Sequence, residues 1–439
     1  MIHIKDVKKF NGEKVEIAGF IKQVRDTKRM QFILVRDITD TIQLSLEKNE
    51  ANKQLNEKVL TLTPESAVKV TGTVNVTEYV KLNGVEIWPD SIEISSIAQS
   101  PLPIDLGDFI ETNRDMRLDW RFLDLRRPEH QLIFKVETVF ENAMREYWIK
   151  EGFMEIHSPK LMANPSESGA ELFEVKYFDD KAYLSQSPQF YKQMAIASGF
   201  EKVFEIGPAF RAEKSNTTRH AAEFTSVDAE IAWIDSHEDV MKMEEEVLNH
   251  AFTKVKEQLG DEIQQLLGID LQVPALPFPR INIDQAKEIV KGYGHIVPPE
   301  TKGDLDPEAE KLLGRYAMEN FGHEFIFVTE YPASVRPFYH MRLESDSTKT
   351  KSFDLIYKGV EVTTGSQREH RYDILCEQAK EKGLDPGSMQ ETYLNYFCYG
   401  IAPHGGFGFG ISRLLMNMLN FNNIREVTYL YRGAERLRP

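Results

Sequence analysis

The chain has 439 residues, 41% of them hydrophobic, and a formal net charge of −16. Its length and composition predict two or three domains with a sizeable core. Its negative charge should prevent binding to nucleic acid through the overall field, so any RNA contact needs a local basic patch. The chain opens without a signal-peptide pattern and no apolar run approaches the ~18 residues of a membrane span, so we expect no membrane partner. The two cysteines form no metal-binding pattern, and reduced thiols predict a cytoplasmic location.

Residues 1–100 are predicted to be mostly β-structure. Short stretches of alternating apolar and polar residues indicate five strands, and a polar segment near 50–60 is typical of a helix placed midway. This order predicts an OB barrel, a fold that often binds single-stranded nucleic acid. A barrel that binds no ligand has the same pattern, so the strands alone leave the function open.

Basic residues concentrate at the start of this region, where residues 1–30 hold eight lysines and arginines against four acids. Arg25 comes shortly before Phe32, and cations beside an aromatic ring favour base stacking. The alternative is that Phe32 belongs to the barrel core. The region resembles the N-terminal anticodon-binding domain of aspartyl-type aminoacyl-tRNA synthetases, in which a Phe stacks on an anticodon base and a Gln eleven positions later contacts the central base. Phe32 and Gln43 match this pair.

Residues 101–114 form the predicted linker, because two prolines interrupt regular structure where the composition changes. Residues 115–439 are predicted to be one large α/β catalytic domain. Apolar residues at helical spacing end at Gly152, and a short strand with Pro159 follows. This helix, strand and proline resemble motif 1 of the class II aminoacyl-tRNA synthetases, which implies a homodimer built through this element.

Two further segments carry candidate substrate contacts. Residues 166–173 are small and polar and include Glu167, a composition typical of a mobile loop. A lysine at a helix start, such as Lys192, is usually solvated. However, the string Gln-Ser-Pro-Gln-Phe-Tyr-Lys-Gln at 186–193 resembles aspartyl-tRNA synthetases, in which this lysine faces the side-chain carboxylate of the amino acid and the preceding loop closes over it. Ser168 departs from the family, which usually has glycine there.

The central stretch, residues 203–231, joins two predicted strands through a polar loop. Arg211, Arg219 and His220 give the loop cationic groups, and guanidinium forks match phosphate oxygens. A solvated hairpin loop is the alternative that charge alone leaves open. The Phe-Arg-Ala-Glu that starts the loop, the Thr-Arg-His that ends it and the following Glu-Phe-x-x-x-Asp-x-Glu resemble motif 2 of class II synthetases, which implies an ATP site.

Residues 352–365 alternate as a hairpin with a predicted Lys-Gly turn at 358–359. That turn places Glu361 and Asp354 diagonally across on one face. Two such carboxylates repel unless a cation lies between them, and Mg²⁺ bridging phosphate is the natural occupant; two exposed acids on an edge hairpin are the alternative. The spacing Asp-x₆-Glu-x₂-[Ser/Thr]-x₃-Arg resembles the magnesium and aspartate site of the family. Here these positions are Asp354, Glu361, Thr364 and Arg368.

A glycine-rich turn at 405–410 leads into an apolar helix with Arg413 near its start. Glycines let the backbone approach a flat ligand closely, although many such turns bind nothing. As the third element in order, this segment resembles motif 3, with Arg413 as the motif arginine. Ser412 stands where the family has an acid, and Leu-Tyr-Arg-Gly at 430–433 replaces the usual Phe-Pro-Arg-Asp. We expect the first change to loosen the orientation of Arg413 and the second to alter the packing below the site.

The resemblance covers nearly the whole chain and identifies it as a member of the class II aminoacyl-tRNA synthetases, in the compact archaeal-like aspartyl group. It implies an α+β protein with an N-terminal OB-fold barrel and an antiparallel sheet flanked by helices. The implied reaction activates L-aspartate with ATP, with Mg²⁺ as cofactor, and transfers it to the 3′ end of tRNA-Asp. The implied residues are Arg211, Glu361 and Arg413 for catalysis; Arg211, Glu213, Arg219, His220, Phe224, Glu361, Gly410 and Arg413 for ATP; Glu167, Gln189, Lys192, Arg211, Asp228, Thr364 and Arg368 for aspartate; Asp354, Glu361 and Thr364 for the metal; and Arg25, Phe32 and Gln43 for tRNA.

Two alternatives and one question of specificity remain. An adenylate-forming paralogue such as an asparagine synthetase would not need the OB domain, and a non-catalytic RNA-binding relative would not need the intact set of charged motif residues. Anticodons for Asp and Asn differ in the first base, and strict archaeal-type enzymes often carry a Trp where this chain has Lys22. Because a cation there gives little base selectivity, we expect charging of tRNA-Asn as well, with an amidotransferase needed for that product.

Overall fold

The computed structural model describes residues 1–107, 112–163, 172–214 and 217–439. The chain forms two compact units, Met1–Thr112 and Asn113–Pro439. No helix in these described ranges is both long and apolar enough to cross a membrane.

Unit 1 is a closed five-stranded barrel with strand order β1-β2-β3-β5-β4. A short 3₁₀-helix at Ile4–Phe10 precedes the barrel, and alternating strand residues point inwards to an aliphatic core. The predicted OB barrel, its five strands and its midway helix are confirmed. These elements are β1 (Lys14–Asp26), β2 (Met30–Arg36), β3 (Thr41–Glu47), α1 (Lys53–Val59), β4 (Ala67–Val76) and β5 (Val85–Ser96).

Unit 2 contains the remaining strands and helices. Its strands are β6 (Met154–Glu155), β7 (Leu161–Met162), β8 (Glu174–Tyr177), β9 (Asp180–Leu184), β10 (Lys202–Phe210), β11 (Glu223–Ala232), β12 (Arg280–Asn282), β13 (Phe325–Thr329), β14 (Ser352–Tyr357), β15 (Val360–Gln367) and β16 (His404–Gly410). Its α-helices are α2 (Arg114–Asp119), α3 (Arg121–Asp124), α4 (Pro128–Lys150), α5 (Gln189–Ala197), α6 (His237–Leu267), α7 (Ile283–Gly292), α8 (Pro307–Phe321), α9 (Tyr372–Glu381), α10 (Pro386–Met389), α11 (Asn395–Cys398), α12 (Ile411–Met418) and α13 (Ile424–Val427).

An eight-stranded sheet organises this unit, with strand order β12-β13-β14-β15-β16-β11-β10-β6. The strands from β13 to β10 pair antiparallel, whereas the outermost pairs, β12 with β13 and β10 with β6, are parallel. The sheet is therefore mixed, with an antiparallel centre. A separate small sheet has the order β7-β9-β8.

Strand β11 shows how the sequence gives the sheet two different faces. Val227 and Ala229 are completely buried in a core that includes residues of α4 and α6. Asp228 and Glu230 alternate with them and point to the opposite face. The long helix α6 starts at a capping box in which the side chains of Ser236 and Asp239 accept hydrogen bonds from backbone amides. One face of the sheet is thus covered by helices, and the other is left for polar chemistry.

The β14–β15 hairpin has the predicted turn. Lys358 and Gly359 both have positive φ, 48° and 78°, the geometry of a two-residue hairpin turn. Glu361 pairs with Ile356, as expected, but an irregularity follows between Leu355 and Ile356. The extra residue shifts the register, so that Asp354 lies opposite Thr364.

Glu244 on α6 predicts a pH dependence of stability. It is completely buried, and burial raises the pKa of its carboxyl from 4.5 to about 8. Between these values the folded protein keeps a proton that the unfolded chain releases, so stability is highest below the lower pKa and falls as the pH rises. We expect Glu244→Gln to reduce the loss in unfolding free energy between about pH 5 and about pH 8 by ~1–3 kcal/mol, measured by urea denaturation. An equal loss in parent and variant would contradict this, and the exposed Glu257 on the same helix gives the control Glu257→Gln.

Candidate active site

A cavity of about 380 Å³ opens on the polar face of the large sheet in unit 2. Its walls come from α5, β11, β15, β16, the start of α12 and the segment that joins β10 to β11. Most of the residues predicted for ATP and aspartate line it. They are Gln189, Lys192, Arg211, Glu213, Arg219, His220, Phe224, Asp228, Glu361, Thr364, Arg368, Gly410 and Arg413. Glu167 lies outside the described residues.

One row of paired residues crosses the sheet at this cavity, and Thr364, Gly408 and Asp228 of the row line it. Asp354 pairs with Thr364, Thr364 with Gly408, and Gly408 with Asp228, on four neighbouring strands. Gly408 is needed where the row passes Asp228, because a Cβ atom would lie 2.7 Å from the carboxylate Oδ1. The sheet thus brings together residues separated by more than a hundred positions in the sequence.

A buried charge cluster lies at one end of the cavity. Lys192 Nζ donates to Asp228 Oδ1 at 3.0 Å and to the carbonyl oxygen of Phe407 at 2.9 Å, and it lies 3.3 Å from Glu230 Oε2. Arg368 binds Glu230 with Nε and Nη2 at 2.9 and 3.2 Å. Two cations and two carboxylates therefore compensate each other in a nearly water-free place.

The electrostatics of Glu230 follow from this pairing. Its side chain is completely buried, which opposes ionisation, but Arg368 and Lys192 outweigh burial and hold the pKa of the carboxyl below its usual value. Glu230 is therefore an anion at neutral pH. Its contacts with Lys192 and Arg368 hold both side chains at the cavity wall.

The ring of Phe224 forms one wall of a slot on another side of the cavity, and Arg211 lies in contact with this ring. The guanidinium carbon of Arg211 lies 5.4 Å from the centre of the Phe224 ring. A Cβ atom on Gly410 would lie 3.4 Å from that ring, so the glycine leaves the edge of the slot open. The Arg211 side chain is 46% exposed, and its Nη1 lies 3.9 Å from the carboxylate Oε1 of Glu213. Such a slot can take a planar base and still offer a cation to a phosphate.

A glutamate on α8 connects the β10–β11 segment to β15. Arg219 donates to Glu310 Oε2 at 2.8 Å, and the same oxygen accepts the backbone N–H of Glu361 at 2.9 Å. His220 Nε2 lies 3.6 Å from Glu213 Oε2. Burial, together with Arg413 and Arg211, lowers the pKa of His220 despite Glu213, so its ring is neutral at neutral pH.

The hairpin carboxylates fit a hard cation. Thr364 Oγ1 donates to Glu361 Oε1 at 3.2 Å. The hydroxyl and the carboxylate therefore lie on the same side of β15. Arg336 donates to Asp354 Oδ2 at 2.5 Å, while the buried Oδ1 has no hydrogen-bond partner within the described part of the chain. Burial raises the pKa of Asp354 to about 7, against the effect of Arg336. An unpaired carboxylate oxygen beside a second carboxylate and a hydroxyl is a suitable donor set for Mg²⁺.

Arg413 reaches this hairpin from α12. Its Nη1 donates to the carbonyl oxygen of Glu361 at 3.1 Å and lies 4.0 Å from Glu361 Oε1. The side chain is 24% exposed and lines the cavity. It is thus held by the backbone of β15, although Ser412 replaces the acid expected before it.

A second candidate site lies on the barrel of unit 1. Arg25 pairs with Phe32, and Phe32 pairs with Ser45. Phe32 is partly exposed, because its neighbours in β2 point inwards. Gln43 lies on the same outward face, and its amide donates to Ser45 Oγ at 3.1 Å and to Glu86 Oε2 at 3.3 Å. The predicted tRNA residues therefore share one surface.

Three functional positions escaped the sequence analysis. Glu230 was matched only as the last residue of the motif 2 string, with no role assigned, and its two cationic partners lie far away in the sequence. Glu310 and Arg336 come from residues 261–350, which carry no recognisable motif. The number of cations in the predicted site could have indicated the two carboxylates, Glu230 and Glu310, since buried cations need carboxylate partners.

Comparison with known families gives two matches. Residues 113–432 match the family described as tRNA synthetases class II (D, K and N), and residues 15–95 match the OB-fold nucleic acid binding domain. Together these segments cover both units of the chain.

Individual relatives match over almost their whole length. The aspartate–tRNA(Asp) ligase of Pyrococcus abyssi is 46% identical over 98% of this chain and 97% of its own. The aspartate–tRNA(Asp/Asn) ligase of Methanopyrus kandleri is 46% identical over the same shares. Among solved structures, asparaginyl-tRNA synthetase from Pyrococcus horikoshii with asparaginyl-adenylate has a TM-score of 0.92 at 34% identity, covering 100% of this chain and 99% of its own.

Proposed function

Because this chain belongs to the class II aminoacyl-tRNA synthetases of the aspartyl, lysyl and asparaginyl family, we propose that its cavity activates L-aspartate with ATP and passes the aspartyl group to tRNA. The chain is an aminoacyl-tRNA synthetase, and aspartate is its amino acid. The observation that carries the choice of aspartate is the pair of buried cations, Lys192 and Arg368, at the cavity wall. Two cations match a substrate side chain that is itself a carboxylate.

Substrate binding works as an exchange of ionic partners. The α-ammonium group of aspartate replaces Lys192 at Asp228, and the released Nζ takes the side-chain carboxylate of the substrate. Every charge stays paired through this exchange, which avoids the cost of leaving a buried charge alone. Asparagine offers only a neutral amide to Lys192, so it cannot complete the exchange.

The ATP half of the site follows from the slot and the hairpin. Phe224 stacks on adenine, Arg211 binds the α-phosphate, and Arg413 binds the γ-phosphate. Asp354, Glu361 and Thr364 would hold Mg²⁺, which when bound supplies charge neutralisation for the phosphates. Catalysis is then positioning and charge stabilisation, with the α-carboxylate of aspartate attacking the α-phosphorus and pyrophosphate leaving. The terminal adenosine of tRNA attacks the adenylate in the second step.

Aspartate-dependent exchange between ATP and pyrophosphate, followed by charging of purified tRNA, tests this function. An adenylate-forming paralogue would show exchange without charging, and a non-catalytic RNA-binding protein would show neither. Parallel assays with asparagine separate the aspartate function from that named for the similar Pyrococcus horikoshii structure. Exchange driven by asparagine and not by aspartate would refute the proposal.

We propose that the enzyme also charges tRNA-Asn. Its relatives include ligases named for tRNA(Asp) and ligases named for both tRNAs. Lys22 is exposed on β1, where its ammonium group can hold a phosphate but cannot choose a base. The decisive assay charges both purified tRNAs with labelled aspartate. A preference for tRNA-Asp beyond about a hundredfold, roughly 2.7 kcal/mol, would refute relaxed specificity.

Phe32→Ala should weaken the charging of tRNA-Asp and tRNA-Asn alike. Loss of one base stack costs roughly 1–3 kcal/mol, which should appear as a higher KM for each tRNA. We propose that the surface around Phe32 contacts the central and third anticodon bases, which tRNA-Asp and tRNA-Asn share. The rate of ATP–pyrophosphate exchange measured without tRNA should be unchanged, and it serves as the control. A loss confined to one tRNA would contradict the proposed contact.

We further propose a homodimer and a cytoplasmic location. Strand β6 is an end strand of the large sheet, and its Met154 and the nearby Ile149 of α4 are exposed, which suits a second copy. Both cysteines are free thiols, as in a reducing compartment. Light scattering of the purified chain tests the dimer directly.

A further inference from the structure

A chain of hydrogen bonds leads from a buried histidine to the cavity wall. His404 at the start of β16 is completely buried, and its Nδ1 lies 2.8 Å from the carbonyl oxygen of Ala402. A carbonyl oxygen can only accept, so Nδ1 carries the proton. Burial lowers the pKa of His404 to about 4, which leaves the ring neutral. Its Nε2 is therefore an acceptor.

This tautomer determines which way the next side chain points. Gln193 on α5 is completely buried and places its amide group 2.9 Å from His404 Nε2. Since that ring nitrogen accepts, the amide Nε2 must face it, and the amide oxygen must face the other way. That oxygen accepts from Tyr393 OH at 2.8 Å and from Gln189 Nε2 at 3.0 Å.

The same logic reaches the cavity through Gln189, one helical turn before Gln193. Its amide nitrogen is committed to Gln193, and the side chain is 5% exposed and lines the cavity. This bond turns the amide nitrogen towards Gln193, so the carbonyl oxygen, which can accept but not donate, faces the other way. An acceptor suits the α-ammonium group of an amino acid and repels either of its carboxylates.

We propose that His404, acting through Gln193, fixes the Gln189 amide with its oxygen towards the cavity and so makes Gln189 a selective acceptor for the α-ammonium group of the substrate. His404 and Gln193 are positioning residues, since neither lines the cavity within the described part of the chain. The inference rests on the proposed function, because it assumes an amino-acid substrate. Without this relay the Gln189 amide is free to turn and present its N–H₂ group instead.

The test uses Gln193→Met, which keeps a long unbranched side chain and removes both polar atoms. We expect the KM for aspartate in ATP–pyrophosphate exchange to rise roughly 10–100-fold, the effect of one lost hydrogen bond to a charged group, and the KM for ATP to stay within about twofold. Succinate lacks the ammonium group, so its inhibition constant should be the same in parent and variant. Weakening of succinate by the same factor as aspartate would overturn the proposal.

A double-mutant cycle separates positioning from general damage. If Gln193 acts through Gln189, then Gln189→Met and the double variant should have the same KM for aspartate. Fully additive effects would overturn the relay. A parent without aspartate-dependent exchange would refute the proposed function instead, whereas an active parent with an unaffected Gln193→Met variant would refute only this inference.

The relay also has a readout that needs no measurement of activity. Nitrogen-15 NMR of the parent protein should show one buried histidine as the neutral Nδ1–H tautomer, assigned by its absence in His404→Gln. A signal from the Nε2–H tautomer or from a charged imidazolium at neutral pH would overturn the proposal, because Gln193 would then face His404 with its oxygen.

Discussion

Replacement of Arg211 by alanine is expected to slow adenylate formation by a factor of about 10²–10³ and to leave the fold intact. Loss of one charge contact in the transition state typically costs roughly 3–4 kcal/mol. The guanidinium group contributes little to the folded structure, since its side chain is 46% exposed and its carboxylate neighbour is 3.9 Å away. The effect should therefore fall on kcat for exchange and not on the melting temperature.

The control for this variant is an arginine away from the cavity. Arg315 on α8 is 62% exposed and pairs with Glu319, so Arg315→Ala removes the same charge from the surface. We expect its exchange rate to equal that of the parent. Exchange by Arg211→Ala within tenfold of the parent would contradict the proposed phosphate contact.

The sequence predicted those parts of the molecule that depend on local pattern. Alternation in β11 separates Val227 and Ala229, which lie in the apolar core, from Asp228 and Glu230, which form buried ion pairs. The turn at 358–359 predicted the start of the hairpin register. Such features are fixed by residues within one or two strands, so their spacing is sufficient evidence.

The partners of the site residues could not be predicted in the same way. The register shift in the hairpin brings Thr364 opposite Asp354, and nothing in the local spacing marks it. Arg336 reaches Asp354 from a segment without a motif. Periodicity states where a side chain points within its own strand, but a contact across elements depends on how the whole sheet and its helices pack.

Lys192 is the residue for which this difference matters most. The sequence suggested a cation free to bind the substrate, whereas Nζ already contacts Asp228, Glu230 and the carbonyl oxygen of Phe407. An ammonium group has three protons, and its hydrogen bonds to Asp228 and to the carbonyl oxygens of Ala229 and Phe407 use all of them. Aspartate can bind only by taking the place of one partner, and Asp228 is the partner that the substrate ammonium can compensate.

Lys192→Leu is therefore expected to raise the KM for aspartate at least 10²-fold while the KM for ATP changes little. The preference for aspartate over asparagine, which unpaired buried polar groups can bring to about 10⁴, should largely disappear because no cation remains for the substrate carboxylate to pair with. Exchange assays with both amino acids measure this ratio. Unchanged saturation by aspartate would refute the role of Lys192.

The same substitution should also lower stability, and the two effects can be separated. Removal of one partner from a buried ion pair typically costs ~3–5 kcal/mol, because Asp228 is left without its cation. The double variant Lys192→Leu/Asp228→Asn removes that charge as well, so most of the stability should return in urea denaturation. Aspartate binding should not return with it. If the stable double variant bound aspartate as well as the parent, the ionic exchange at Lys192 would not be the basis of recognition.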